Sequence, residues 1–179
     1  MAKVPFSKLD AKVNNDICTT SYCNTKGEEI SYEVKKYLPI TDKLDLVTNI
    51  VNYSVDDNGY YNPMKVKVYM TLEITYAYTN LNFTDKQKSD IFKLYDILTS
   101  NGIYNNIVNC MDENEYMDVY SSVYDTIENI YKYRNSAMGI LENITSDYSN
   151  LNLDAEQIHK NIADPENLTL LKDILDKLG

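Results

Sequence analysis

Residues 64–78 alternate between apolar and polar side chains, as expected for a half-buried β-strand. Every even position is apolar or aromatic, and the odd positions include two lysines, two threonines and a glutamate. The segment nevertheless follows Asn62 and Pro63, a pair typical of a helix start, because Asn caps the first turn and Pro has no N–H to leave unpaired. A strand of this length would need partners, and the chain offers only the short run at 30–34. The pattern therefore favours a helix over a strand.

As a helix, this segment has two apolar sides. At roughly 100° of rotation per residue, positions 64, 68, 72 and 76 form one stripe, and positions 66, 70, 74 and 78 form a second stripe roughly 200° away. Polar side chains lie between the stripes. We therefore predict a central helix that is buried on two sides.

The N-terminal part of the chain has a different pattern. Residues 1–27 show no sustained period, which predicts an extended arm. After the turn signal at Lys26-Gly27, Ile30, Tyr32 and Val34 alternate with polar residues, which predicts a short strand or hairpin arm. We divide the chain into an extended N-terminal arm at 1–27 and a single, mainly helical domain at 28–179.

Apolar residues at helical spacing predict the remaining helices. One begins after Pro39, and another is capped by Thr84, covers 85–101 and ends at Gly102 in a left-handed conformation. Further helices are predicted at 104–110, 113–145, 157–162 and 166–178. The fold class is therefore mainly α: a helical bundle with a short N-terminal β strand or hairpin arm and a long helix near 113–145.

Charge and composition restrict the partners and the chemistry. The formal charge of −10 disfavours nucleic acid and membrane surfaces as partners. Three cysteines fit a reducing compartment, and Cys18 and Cys23 lack the further ligands of a zinc site. With His159 as its single histidine and no glycine-rich phosphate loop, the chain carries no signature of a common catalytic mechanism. We predict no enzyme, no cofactor, no metal site and no small-molecule substrate.

The seventeen tyrosines are the remaining pattern. Several of them lie along one side of the helix predicted at 113–145, where they can form either a polar-tipped core or a docking face, and we favour the core. If the protein binds a partner, we expect contacts from the arm, the strand and exposed members of this stripe. The candidate partner-binding residues are Val4, Phe6, Ile30, Tyr32, Val34, Tyr116, Tyr120 and Tyr124.

Three stretches of the chain cover most of residues 29–179: EISYEVKKYLPITDKLDLV, YYNPMKVKVYMTLEITYAYTNLNFTDKQK with the KLYDIL that follows, and YRNSAMGILENITSDYSNLNLDAEQIHKNIADPENLTLLKDILDKLG. They resemble a family of small, uncharacterised proteins of tailed phages and prophages of low-GC Gram-positive bacteria, encoded among virion-assembly genes. The layout is also similar to tail assembly chaperones, helical proteins that keep a phage tape-measure protein soluble until the tail tube polymerises. Many of those chaperones are shorter and lack a polar arm.

The resemblance implies a non-enzymatic role in virion assembly or structure, as a chaperone-like protein or a head–tail or neck component. The implied partners are tape-measure, neck or capsid proteins, or further copies of the same chain. We expect the protein in the host bacterial cytoplasm or incorporated in the virion. An alternative is a phage-encoded acidic inhibitor of a host enzyme or defence complex, because an acidic protein can occupy a basic channel.

Overall fold

The computed structural model of the protein describes residues 3–56, 59–136 and 139–140. The chain divides into two compact units, at 1–132 and 133–179. The helices predicted at 157–162 and 166–178, together with His159, lie outside the described residues. Within the described part, no helix is long and apolar enough to cross a lipid bilayer.

The described residues are mainly helical, with a small antiparallel sheet near the N-terminus, which confirms the predicted mainly α class. The strands are β1 (Ile17–Cys23) and β2 (Glu29–Lys35). The helices are α1 (Ile40–Ser54), α2 (Pro63–Tyr78), α3 (Asp85–Ser89), α4 (Ile91–Ser100), α5 (Ile103–Cys110) and α6 (Glu113–Arg134). A 3₁₀ turn at Phe6–Leu9 precedes them.

The segment with alternating polarity is the helix α2, as predicted. Asn62 caps it, since its side chain accepts a hydrogen bond from the Met64 N–H at 2.9 Å, and Pro63 occupies the first turn. The two apolar stripes pack into two separate hydrophobic clusters. The larger core receives Val66, Met70, Ile74 and Tyr78, and the smaller core receives Val68 and Leu72. Both predicted sides of the helix are therefore buried.

One of the polar flanks of α2 is buried as well. Thr71 and Thr75 are almost completely inaccessible to solvent. The Thr75 hydroxyl donates to the Thr71 carbonyl at 2.7 Å, so the buried hydroxyl is satisfied within the helix. Threonine is suited to this position because its methyl group packs while its hydroxyl bonds to the backbone.

The two cores join different elements to α2. The larger core combines α2 with β2, α1, α5 and α6, and the smaller core combines α2 with α4. The central residues of the partner elements in the larger core are Val34, Ile50, Ile107, Val119, Val123 and Ile127. In the smaller core they are Leu94 and Leu98.

The helix predicted at 85–101 is two helices, α3 and α4. Thr84 and Gln87 form the capping box that begins α3, with each backbone N–H bonded to the other side chain. Asp90 interrupts the helix at φ −105° and ψ 67°, and its carboxylate caps α4 by accepting from the Lys93 N–H. Aspartate favours caps over helix interiors because its side chain competes for backbone N–H groups. Gly102 adopts the predicted left-handed conformation, with φ 71°.

The helix predicted at 113–145 ends earlier than expected, at Arg134. Ser136 forms a turn in which its N–H and its hydroxyl both bond to the Tyr133 carbonyl. Serine competes in this way for the carbonyls that would continue a helix. Residues 141–145 of the predicted helix lie outside the described residues.

The hairpin of β1 and β2 extends into the segment predicted as an arm. Cys18 pairs with Val34 and Cys23 with Glu29 in an antiparallel register. The Asn24 side chain organises the turn by accepting from two backbone N–H groups, and Gly27 adopts φ 80°, a conformation favoured by glycine. Residues 17–23 are extended, as the arm prediction required, but they pair with β2, so residues 3–16 are the described part of the arm that lies outside the sheet.

A disulfide joins Cys18 of β1 to Cys110 at the end of α5. The sequence pattern placed Cys18 beside Cys23 and did not indicate this pair, because 92 residues separate the two cysteines. Cys23 is the free and exposed thiol. The three cysteines were expected to fit a reducing compartment, whereas the structure pairs two of them.

Reduction of this disulfide should destabilise the fold. Closing a loop of this length restricts the unfolded chain and stabilises the folded state by about 3–5 kcal/mol. We expect dithiothreitol, or the double substitution of Cys18→Ser and Cys110→Ser, to lower the urea midpoint followed by circular dichroism. Cys23→Ser is the matched control and should leave the midpoint unchanged. Equal midpoints for the native protein and the double variant, with and without reductant, would contradict the pairing.

Candidate binding groove

The predicted partner-binding residues of the N-terminal region fall into two groups. Val4, Phe6 and Ile30 are exposed, with Phe6 at 75 % and Ile30 at 49 % of full accessibility. Tyr32 and Val34 are buried at 4 % and 0 %. Both belong to the larger core, so as surface contacts they are corrected to core residues. Alternation along β2 directs Tyr32 and Val34 inward, because successive side chains of a strand point to opposite faces.

The tyrosine stripe of α6 lies at the edge of the larger core. The ring centroids of Tyr116 and Tyr120 are 6.3 Å apart, and those of Tyr120 and Tyr124 are 4.6 Å apart. Tyr116 and Tyr124 are partly buried against the larger core, whereas Tyr120 is 39 % exposed. The stripe is therefore mainly packing, as favoured from the sequence, and Tyr120 is the most accessible of the three tyrosines predicted as partner contacts.

An apolar groove lies between the hairpin and the helices α3, α4 and α5, with a volume of about 370 Å³. Its lining comes from the hairpin and α4, which we call the two walls, and from the segment between α2 and α3, which we call the floor. Its apolar lining consists of Tyr22, Ile30, Tyr32, Leu81, Phe83, Leu94, Ile97, Leu98 and Ile103. Ile30 and Ile97 remain 49 % and 44 % exposed, so the groove opens to solvent on both walls. We call this site the groove.

Polar contacts hold the hairpin wall against α5 and the end of α4. The Tyr22 hydroxyl donates to the Asn101 side chain at 3.1 Å, and the Tyr32 hydroxyl donates to the Ile103 carbonyl at 3.4 Å. The Asn106 side chain donates to the Ser21 carbonyl at 3.4 Å. Together with the disulfide, these contacts fix the distance between the two walls, so the groove is formed before anything binds.

A β-bridge and a hydrogen bond attach the floor to β2. Val34 and Thr79 form an isolated antiparallel bridge, and the Glu33 N–H donates to the Asn80 side chain at 3.0 Å. Phe83 then packs edge-on against Tyr76 of α2, with ring centroids 5.2 Å apart. The smaller core, through α2 and α4, therefore supports the floor directly.

The polar residues of the groove include two lysines, Lys86 and Lys93. Lys86, Gln87, Asp90 and Lys93 line it on the side of α3 and α4. The carboxylate of Asp90 caps α4, and among the described residues the ammonium groups of Lys86 and Lys93 have no carboxylate within ion-pair distance. This local positive charge contrasts with the net charge of −10 of the chain.

A buried polar cluster around Glu115 lies in the larger core, on other elements. One carboxylate oxygen of Glu115 accepts from the Leu38 N–H at 2.9 Å and from the Tyr78 hydroxyl at 2.7 Å. The other accepts from the Lys43 ammonium at 2.7 Å, and Lys43 also contacts Asp118 at 3.1 Å. The charged and polar groups in these contacts all have partners within the protein. The cluster therefore joins α1, α2 and α6 and is structural.

The surroundings of this cluster shift two pKa values. Burial raises the pKa of Tyr78, and the hydrogen bond to the Glu115 carboxylate raises it further. Burial by itself would lower the pKa of Lys43, but its hydrogen bonds to Glu115 and Asp118 outweigh that effect and the net pKa is raised. Both groups are therefore held in their protonated forms.

The described residues contain no group of three or more His, Cys, Asp or Glu side chains that could hold a metal ion. The arrangement that stands out is therefore the groove, which is suited to binding an apolar surface. Of the residues predicted to contact a partner, Ile30 and Tyr32 line the groove, but no residue of the α4 wall was among them. Ile97 lies outside the apolar face predicted for its helix. An isoleucine outside that face was the feature of the sequence that could have indicated the α4 wall.

Comparison with known proteins identifies no relative: no protein family, no curated protein and no solved structure matches the chain.

Substitution of Glu115 by Ala should destabilise the protein by about 3–5 kcal/mol, because it leaves the buried Lys43 ammonium without its closest partner. Urea unfolding followed by circular dichroism measures the change. Glu128→Ala is the control on the same helix, since its pair with Lys132 is about two-thirds exposed and is worth about 0.5 kcal/mol. Similar losses for the two variants would show that the cluster does not stabilise the fold.

The raised pKa values predict a loss of stability in alkaline solution. Tyr78 keeps its proton in the folded state, whereas the unfolded chain releases it near the ordinary value of 10.0. The contribution of Tyr78 to the free energy of unfolding is therefore fully present below about pH 10 and is lost as pH rises further. The raised pKa of Lys43 changes the stability in the same direction. Tyr78→Phe should reduce the fall in unfolding free energy between about pH 8 and pH 11. An unchanged fall in Tyr78→Phe would refute this assignment.

Proposed function

We propose that the protein is a non-enzymatic binding protein of tailed-phage virion assembly, acting as a tail assembly chaperone or as a head–tail or neck component. In this proposal the helices form a bundle that presents the hairpin and the groove. The groove receives an apolar segment of another virion protein. The class of partner comes from the resemblance over residues 29–179, and the mode of binding comes from the groove.

The observation that carries the binding role is the apolar character of an open, preformed groove. Its volume of about 370 Å³ lies within the range of pockets that bind ligands. Ile30 and Ile97 expose aliphatic surface on both walls, and exposed apolar surface beside a cleft is typical of binding sites. A chaperone for a hydrophobic partner needs such a surface, because it must cover apolar side chains until assembly does so.

The arm adds a second surface to this proposal. Val4 and Phe6 are more exposed than any apolar residue of the groove, and they lie outside the sheet. Removal of residues 1–14 tests them without disturbing β1 or Cys18. Removal of residues 1–27 would disturb the groove as well, since it also deletes β1, with Cys18 and the groove residue Tyr22.

Affinity capture of the tagged protein from phage-producing cells, read by mass spectrometry, tests the proposed function. We expect recovery of tape-measure, neck or capsid proteins, reduced at least about tenfold by Ile97→Asp, because a charge on the wall must be desolvated on binding. Leu44→Asp is the matched control, an exposed aliphatic residue of α1 outside the groove. A proteome of purified particles then distinguishes a resident component from a chaperone.

Two results would contradict the proposal. Capture that is indifferent to Ile97→Asp would exclude the groove as the contact. Recovery of a host enzyme or defence complex in place of virion proteins would instead favour an acidic inhibitor.

A further inference from the structure

We infer that the segment held in the groove is an acidic, amphipathic peptide, whose apolar side chains enter the groove and whose carboxylates contact Lys86 and Lys93. The inference rests on the proposed function, because it names the chemistry of the partner that the same groove would bind. It concerns which segment binds, and it can fail while the groove remains a binding site.

The charge at the groove is the first observation. Lys86 and Lys93 both line it, from α3 and from the first turn of α4. Neither ammonium has an ion-pair partner within the part of the chain that the structure describes. Asp90 lies between them in the sequence, and its carboxylate accepts from the Lys93 N–H as the cap of α4. The groove thus presents two cations and one carboxylate beside an apolar lining, which leaves it with a net positive charge.

The charge of the groove is opposite to that of the protein as a whole, and this difference makes the groove selective for the segment it binds. The chain carries a net charge of −10, so an acidic partner is repelled at long range. Attraction by the two lysines acts over roughly one Debye length, about 8 Å at physiological salt. The two lysines therefore attract an acidic segment only when its apolar side chains are already in the groove. A basic segment would be attracted to the whole surface but repelled at the site itself.

The extent of the apolar surface indicates a peptide and not a small amphipathic anion. Ile30 and Ile97 line the cavity and are also 49 % and 44 % exposed. A ligand confined to the cavity would cover only the part of each side chain that lines it. A peptide with apolar residues at successive positions along one face covers the cavity and the rest of both side chains together, as helices do in grooves of this kind.

The position of the lysines sets the pattern expected in the peptide. Both lysines lie on the side of α3 and α4, whereas the hairpin wall contributes Tyr22, Ile30 and Tyr32. The bound segment should therefore be asymmetric, with its acidic residues along one edge of an apolar face.

Selection from a displayed library of random peptides tests this inference, with the full-length protein as bait. Peptides that depend on the groove are those enriched by the native protein and lost with Ile97→Asp. We expect them to combine apolar residues with Asp or Glu. Their affinity should fall about tenfold or more when Lys86 and Lys93 are both changed to Glu, since two charge contacts are reversed. The reversed variant should in turn enrich peptides that carry Lys or Arg.

The matched control changes Lys65 and Lys67 to Glu. These exposed lysines of α2 lie outside the groove, so the control makes the same change in net charge. It should leave the selected peptides and their affinities close to those of the native protein. Circular dichroism of each variant verifies that the fold is retained.

The outcomes distinguish a failure of this inference from a failure of the groove as a binding site. Peptides that depend on Ile97 but are neutral or basic, or that are indifferent to the reversal of Lys86 and Lys93, would overturn the inference and leave the groove as a binding site. Absence of any peptide dependent on Ile97 would overturn both the inference and the groove as a peptide contact. Displacement of the selected peptides by dodecanoate at lower concentration than by unlabelled peptide would instead identify a small amphipathic anion as the ligand.

Discussion

Because α2 presents apolar side chains on two opposite sides, it must be covered twice, and the first unit is built to do so. The larger core covers the side with Ile74 by means of β2, α1, α5 and α6. The smaller core covers the side with Leu72 by means of α4. A helix with one apolar side could have been packed by a single layer. The double burial instead places α2 between two groups of elements, and the positions of both groups follow from it.

The cluster around Glu115 fixes the end of this central helix. Tyr78 is the last residue of α2, and its buried hydroxyl bonds to the Glu115 carboxylate at 2.7 Å. The same carboxylate neutralises Lys43 of α1, so three helices meet at one charge. Such a cluster contributes little net free energy compared with apolar packing, but it penalises any arrangement that leaves a buried charge unpaired. It therefore specifies how α1, α2 and α6 meet, in addition to the packing that holds them together.

The groove is a consequence of the same arrangement. Residues of the smaller core line the groove from α4, and Ile97 of the same helix remains 44 % exposed there. The disulfide and the hydroxyl contacts of Tyr22 and Tyr32 hold the hairpin, which supplies further lining residues, against α5 and the end of α4. Two lysines without ion pairs among the described residues then give the opening a charge opposite to that of the whole chain. An apolar and locally cationic site of this kind is suited to a segment that is both apolar and acidic.

The features determined by the sequence alone are those that depend on a few neighbouring residues. Asn62 and Pro63 start α2, Thr84 and Gln87 start α3, and Gly102 ends α4, because each acts on backbone groups within one turn. The break at Asp90 is also local, and a stricter reading of aspartate as a cap would have found it. Tertiary structure alone decided that Cys18 meets Cys110, that Glu115 meets Lys43, and that Val34 enters the core while Ile30 lines the groove. These contacts join residues separated by about 70 to 90 positions, or depend on where a strand is covered, and no local pattern determines which distant surfaces pack together.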